Sequence, residues 1–205
     1  MTVALAPRTP RPDSRRPGEL DDLTLARAQR GEPGAWRALI EHHQAAVFAL
    51  LGRMLGGGRR SLVEDLAQET FLAVFRQLPG FSAQGPARLS TWILTIASRR
   101  AIDELRRRAP APIALDDIAA PAPGERADGA LARRQLAAAI DRALAGVAPV
   151  HRAAFVLREL HGLEHHEIAE ALGIDPGTVR SRLARARAAL RAALAEAHRE
   201  VDHDA

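Results

Sequence analysis

Pro110, Pro112, Pro121, Pro123, Gly124 and Gly129 all fall between Ala109 and Ala130, in a stretch with no apolar period. Proline removes a backbone donor and blocks helix continuation, so neither a helix nor a central strand is expected to cross this segment. The chain is therefore expected to fold as two pieces, one on each side. Its 205 residues give each piece the size of a small domain. Residues 111–130 hold one Arg and four acids, against 17 Arg and 11 acids before them and 11 Arg and 10 acids after them. The expected organisation is a disordered Pro- and Arg-rich extension (1–18), a first domain (19–109), a flexible acidic Pro/Ala-rich linker (110–130), a second domain (131–198) and a tail (199–205).

Both pieces read as helical. Aromatic residues are only 3% of the chain and Tyr is absent, which argues against a sandwich or barrel. Ala, Leu and Arg dominate instead, all good helix formers. The fold class expected is all-α. In the first domain, helices are predicted over Leu20–Arg30, over a stripe from Trp36 to Met54 that includes His43, over Leu62–Leu78, and from Ser90 or Thr91 to Arg108. Ser90 and Thr91 are the candidate N-caps of the last of these. In the second domain, helices are predicted over Leu131–Leu144, Val150–Leu160, Glu164–Leu172 and Pro176 to about His198. Gly173 is placed at a left-handed cap, and Asp175-Pro176 reads as an N-cap followed by proline at the first helical position.

Composition also removes whole classes of chemistry. With no Cys, disulfides, thiolate catalysis, Fe–S clusters and Cys-based zinc sites are excluded. No apolar run approaches membrane-spanning length, and residues 1–18 lack the apolar core of a secretory signal. A soluble cytoplasmic protein is the expectation. His161, His165 and His166 invite a metal reading, but Gly162 breaks the i, i+4 spacing, so no metal, no cofactor and no enzymatic activity is expected.

The charged faces carry more. All 29 basic residues are Arg and the net charge is +4, a weak pointer to nucleic acid until the charges are placed. From Pro176 to Arg191 there are five Arg and no acid. At 100° per residue, Val179, Leu183, Ala186 and Leu190 share one stripe. Ser181, Ala184 and Ala188 fall opposite, flanked by Arg180, Arg182, Arg185 and Arg187. Small residues let a helix backbone approach base edges, and guanidinium groups reach phosphates or guanine. The absence of local acids argues against an ordinary solvated face. On the helix beginning near Leu62, Asp65, Glu69, Leu72 and Arg76 line up with Gln68 beside them; spacing alone makes this an ordinary charged face. The next helix opens at Trp92 after a polar loop and ends in dense charge.

Together these segments resemble the extracytoplasmic-function (ECF) sigma factors of bacterial RNA polymerase. Glu64-Asp65-Leu66-Ala67-Gln68-Glu69-Thr70-Phe71 resembles their region 2 motif. Thr91-Trp92-Ile93-Leu94-Thr95-Ile96-Ala97 and Asp103-Glu104-Leu105-Arg106-Arg107 resemble the part of region 2 that meets the minus-ten element. Glu167 to Ile174 and Gly177 to Arg187 resemble region 4. The resemblance spans roughly residues 20–108 and 131–195, with the motifs in the family's order. It implies a region 2 helical bundle and a region 4 helix-turn-helix, and roles follow from it. Asp65, Gln68, Glu69, Leu72 and Arg76 would grip the β′ clamp of core RNA polymerase. Arg88, Ser90, Trp92, Arg99, Arg100, Asp103, Arg106 and Arg107 would serve minus-ten recognition and melting. Thr178, Arg180, Ser181, Arg182, Ala184, Arg185 and Arg187 would read the minus-thirty-five element. Region 4 would also meet the β flap, and an anti-sigma factor would hold the protein inactive. Arg99 stands where the family often has Asn, and Glu164 where Ser or Thr is usual. Two other readings stay open on the residues themselves: a stand-alone helix-turn-helix regulator, and a small helical metallohydrolase using His161 to Glu167.

Overall fold

A computed structural model describes residues 19–56, 59–85, 87–107 and 139–203. The extension (1–18) and the linker (110–130) lie outside the described residues. Within them the helices are α1 (Asp22–Gln29), α2 (Pro33–Leu55), α3 (Arg60–Gln77), α4 (Leu89–Arg107), α5 (described over 139–145), α6 (Pro149–Glu159), α7 (His165–Leu172) and α8 (Pro176–His203). A 3₁₀ turn, Leu78–Gly80, follows α3. The described residues include no strand.

Local chemistry sets the helix ends. Asp21 caps α1 by accepting from the Thr24 N–H at 2.9 Å. Pro33 sits in the first turn of α2, where a missing N–H costs nothing. Gly56, with φ of 86°, ends it. α4 departs from expectation at its start. Leu89 is already helical and buried, and Trp92 N–H bonds back to the Arg88 carbonyl at 2.9 Å. Ser90 and Thr91 are thus buried first-turn residues, not caps. Their hydroxyls turn to distant carboxylates: Ser90 donates to Glu19, and Thr91 approaches Glu167 at 3.5 Å. α8 runs on to His203, past the expected end near His198.

α2 is the central rod of the first bundle, with α1, α3 and α4 packed around it. Its Leu39, Val47, Leu50, Leu51 and Met54 are fully buried, as the stripe requires. Burying a Leu or Val side chain contributes roughly 1.5–3 kcal/mol. Gln29 ties α1 to the turn after α3, donating to the carbonyls of Leu78 and Phe81 at 3.2 and 2.7 Å. His43 lies in this core with Nε2 unpartnered, and burial, with His42 beside it, pushes its pKa down to about 4. It is a buried neutral histidine on the apolar stripe of α2.

The second bundle does not stand apart from the first. α6 packs on α2 and α4, and α7 packs on α4. One apolar cluster runs from Leu39 and Ile93 through Leu157 and Ile168 to Val179 and Leu183. A smaller one joins α5 to α8 through Ala143, Leu144, Val147, Ala186 and Leu190.

Candidate nucleic-acid interface

α7 and α8 form a helix-turn-helix whose corner is built from backbone and caps. The Glu164 N–H donates to the Glu167 carboxylate at 2.7 Å, organising the first turn of α7. Gly173 ends α7 in the left-handed region, at φ 63° and ψ 44°. Ile174 N–H then closes back on the Ala169 carbonyl at 2.9 Å, the six-to-one bond of a Schellman ending. Asp175 caps α8, accepting from the Thr178 N–H at 2.9 Å and from the Thr178 hydroxyl. Those two bonds, the side-chain one foremost, hold the Asp175 carboxyl below its ordinary pKa.

Val179, Leu183, Ala186 and Leu190 are buried, so α8 is rotated as its stripe demands. Arg180, Ser181, Ala184, Arg185 and Arg187 are exposed, and Thr178 and Arg182 are half-buried. The face is less free of acid than the local sequence implies. Arg187 pairs at 2.7 Å with Glu159, which arrives from α6. The two hydroxyls are engaged internally: Thr178 in the cap, and Ser181 donating to the Thr178 carbonyl at 2.9 Å. His151 of α6 borders the same field. Its pKa is lowered by partial burial first, then by Arg185 and Arg182. No local motif marks His151; it belongs to this face through tertiary packing.

The minus-ten candidates divide. Arg88, Asp103, Arg106 and Arg107 are exposed. Ser90 is buried. Trp92 is half-buried and lies against Phe81, ring centroids 5.0 Å apart. Arg99 donates from Nε to the Ala171 carbonyl of α7 at 3.1 Å. Arg100 pairs with Glu69 at 2.6 Å, and Arg107 pairs with Glu104. The structure thus brings the polymerase candidate Glu69 and the DNA candidate Arg100 into contact.

On α3, Asp65, Gln68, Glu69, Leu72 and Arg76 all reach the surface together. Phe75, absent from the sequence reading, extends this face: it is 54% exposed, beside Leu72 at 55%. Its ring lies 4.8 Å from that of Trp36, at an open groove lined also by Pro33 and Ile40. The signal was present, because Phe75 follows Leu72 by three residues and so shares its face.

His161 is 3% exposed with Nε2 unpartnered, and burial pushes its pKa down to about 4. Gly162, with φ of 67°, separates it from α7. Among the described residues no group of three or more His, Cys, Asp or Glu is placed to hold a metal ion. No helix among them is long and apolar enough to cross a membrane.

A helical bundle joined to a helix-turn-helix with an exposed arginine face defines a DNA-binding protein of the transcription machinery. Comparison with known proteins narrows this. Residues 39–110 match the sigma-70 region 2 family, and residues 137–190 match sigma-70 region 4. The chain is 34% identical over 167 residues to the ECF RNA polymerase sigma factor SigE of Mycolicibacterium smegmatis, covering 79% of this chain and 62% of that protein's length. It is 31% identical over 180 residues to the ECF RNA polymerase sigma-E factor of Salmonella typhimurium, covering 83% and 92%. The solved structure of CnrH in complex with the cytosolic domain of CnrY superposes with a TM-score of 0.62 at 25% identity, covering 85% of this chain and 96% of that one. The chain belongs to the ECF sigma factors, the promoter-specificity subunits of bacterial RNA polymerase.

Proposed function

We propose the following division of labour over this chain's surfaces. The outer face of α3 docks on the β′ clamp of core RNA polymerase through Asp65, Gln68, Glu69, Leu72, Phe75 and Arg76. The 81–90 loop and α4 engage the minus-ten element and help open it. Extruding a base costs a few kcal/mol, which a protein pocket can offset. α8 enters the major groove of the minus-thirty-five element. There Arg180 and Arg185 supply direct readout, and Arg182 and Arg187 supply phosphate contacts. The helix-turn-helix module also meets the β flap. Two weak readers on one tether gain from effective concentration once both are docked. The protein works in the cytoplasm, without catalysis of its own, under an anti-sigma factor.

One observation carries this reading: Arg180 and Arg185 project from α8 opposite a fully buried stripe, with Ser181 and Ala184 between them, leaving room for a groove. The test is transcription by core polymerase with and without the protein. Initiation at a discrete promoter is expected only with it. Substituting Arg180→Ala is expected to lower discrimination at one promoter base by about 1–3 kcal/mol. Tight binding to duplex DNA with no initiation would favour a stand-alone regulator instead.

A further inference from the structure

The four arginines on the outer face of α8 are not equivalent. Among the described residues Arg180, Arg182 and Arg185 make no ion pair, whereas Arg187 pairs with Glu159 at 2.7 Å. Glu159 is the last residue of α6, so its carboxylate stands at the negative end of that helix. The two side chains are 36% and 48% exposed, which puts the pair at the rim of the α6–α8 contact, open to an approaching duplex. An exposed ion pair contributes little to stability, so this one can open without unfolding the bundle. Arg187 follows Arg180 by seven residues. It therefore lies on the same side of α8, about 10.5 Å further along at 1.5 Å per residue. The N-terminal residues of a reading helix meet base edges. Arg187, two turns on, is placed for the phosphate wall.

A carboxylate at that place opposes DNA. The paired guanidinium meets a phosphate only by leaving the Glu159 oxygen or sharing with it, and the carboxylate then faces the phosphate across the arginine. Non-specific binding is almost wholly electrostatic, so it bears this opposition in full. At the correct sequence, base contacts fix the register and hold Arg187 at a phosphate in the geometry of a charge-assisted hydrogen bond. We propose that Glu159 sets specificity: its carboxylate withholds Arg187 from phosphates on non-promoter DNA and yields it when α8 is seated at the minus-thirty-five element. The proposal rests on the assignment of α8 made above. Glu159 touches no base; it is a positioning residue that acts through Arg187.

The test uses the full chain and two fluorescein-labelled duplexes. One carries the promoter at which core polymerase initiates with this protein, and the other is of scrambled sequence. Anisotropy titrations at several salt concentrations give affinity and salt slope. Glu159→Gln keeps the side chain's shape and removes its charge. It is expected to tighten binding to the scrambled duplex about three- to tenfold and to steepen the log–log salt slope by about one, as for one more neutralised phosphate. Promoter duplex is expected to gain less than about twofold, so discrimination falls. Arg187→Ala closes a double-mutant cycle. Alone it is expected to change binding to the scrambled duplex by less than about twofold, and combined with Glu159→Gln to abolish the gain. An equal gain from Glu159→Gln when Arg187→Ala is present would reduce Glu159 to one unit of net charge and overturn the proposal. Weaker binding by Glu159→Gln, the mark of a strut that only aims α8, would overturn it too, as would no change. Arg180→Ala separates the two levels. If it weakens promoter binding while Glu159→Gln has no effect, the assignment of α8 stands and the role of Glu159 alone falls. If Arg180→Ala has no effect on either duplex, the assignment of α8 falls as well.

Discussion

α3 and α4 lie side by side in the first bundle, at 18 and 19 residues, and both carry charged outer residues expected to meet partners. Their fates differ. On α3 all five expected residues are exposed, and an apolar neighbour, Phe75, joins them. Around α4, Ser90 is buried, Trp92 is half-covered by Phe81, and Arg99 is bonded to α7. The difference has two sources: Glu19 and Phe81 of the first bundle cover the start of α4, and α7 of the second bundle engages Arg99, while the outer face of α3 stays exposed. Periodicity identifies the polar side of a helix. Whether that side meets water depends on where the rest of the chain settles.

A matched pair of truncations gives the largest contrast. Leu94 on α4 is 1% exposed, so Leu94→Ala should cost about 2–5 kcal/mol in urea unfolding. Leu72 on α3 is 55% exposed, so Leu72→Ala should stay within about 0.5 kcal/mol while weakening core polymerase binding. Equal costs would erase the distinction between the two faces.

Acid probes the two bundles through one histidine each. Burial holds His43 and His161 at pKa values of about 4. In the unfolded chain imidazole titrates near ~6.5. Between these values the unfolded chain takes up protons that the folded one refuses, so stability is whole above pH ~6.5 and drains as pH falls toward ~4. The loss is on the order of 3 kcal/mol for each histidine. Urea midpoints from neutral to acid pH should show it, and His43→Leu should flatten about half of the decline. A pH-independent midpoint would show that neither imidazole is held neutral.

Asp65→Arg should weaken core binding about tenfold, or 1.4 kcal/mol, with an unchanged melting temperature. The effect should shrink as salt rises. Unchanged affinity, measured by titrating labelled protein with core polymerase, would reduce the α3 face to solvated surface. The smallest effect joins the two helices: a double-mutant cycle on Glu69 and Arg100 should give a coupling of about 0.2–1 kcal/mol, the usual worth of a solvent-exposed ion pair.

The helices themselves were legible because burial follows a period that short-range sequence displays. The stripe Val179, Leu183, Ala186 and Leu190 went inward as spaced, and Gly173 and Asp175 took the expected conformations at the corner. The α3 face was legible for the same reason. The start of α4 was not. Ser90 and Thr91 are good caps by local chemistry, yet their hydroxyls face Glu19 and Glu167, 71 and 76 residues away. Arg187 escaped for a similar reason, since its acid comes from α6, 28 residues back. Arg152 of α6, 4% exposed and bonded to the carbonyls of Met54, Ala145 and Val147, gave no signal at all. A lone Arg in an apolar stretch reads as surface until the carbonyls that surround it are in place.

Gly173 has one more implication. A side chain built there would meet nothing within 4 Å, so only the handedness of the backbone, at φ +63°, resists substitution. At Gly173 itself it is the torsion, and not a steric clash, that demands glycine. A β-branched residue at this position would strain the left-handed torsion and swing the aim of α8. Asn, which tolerates the left-handed region, is the replacement that would preserve it best.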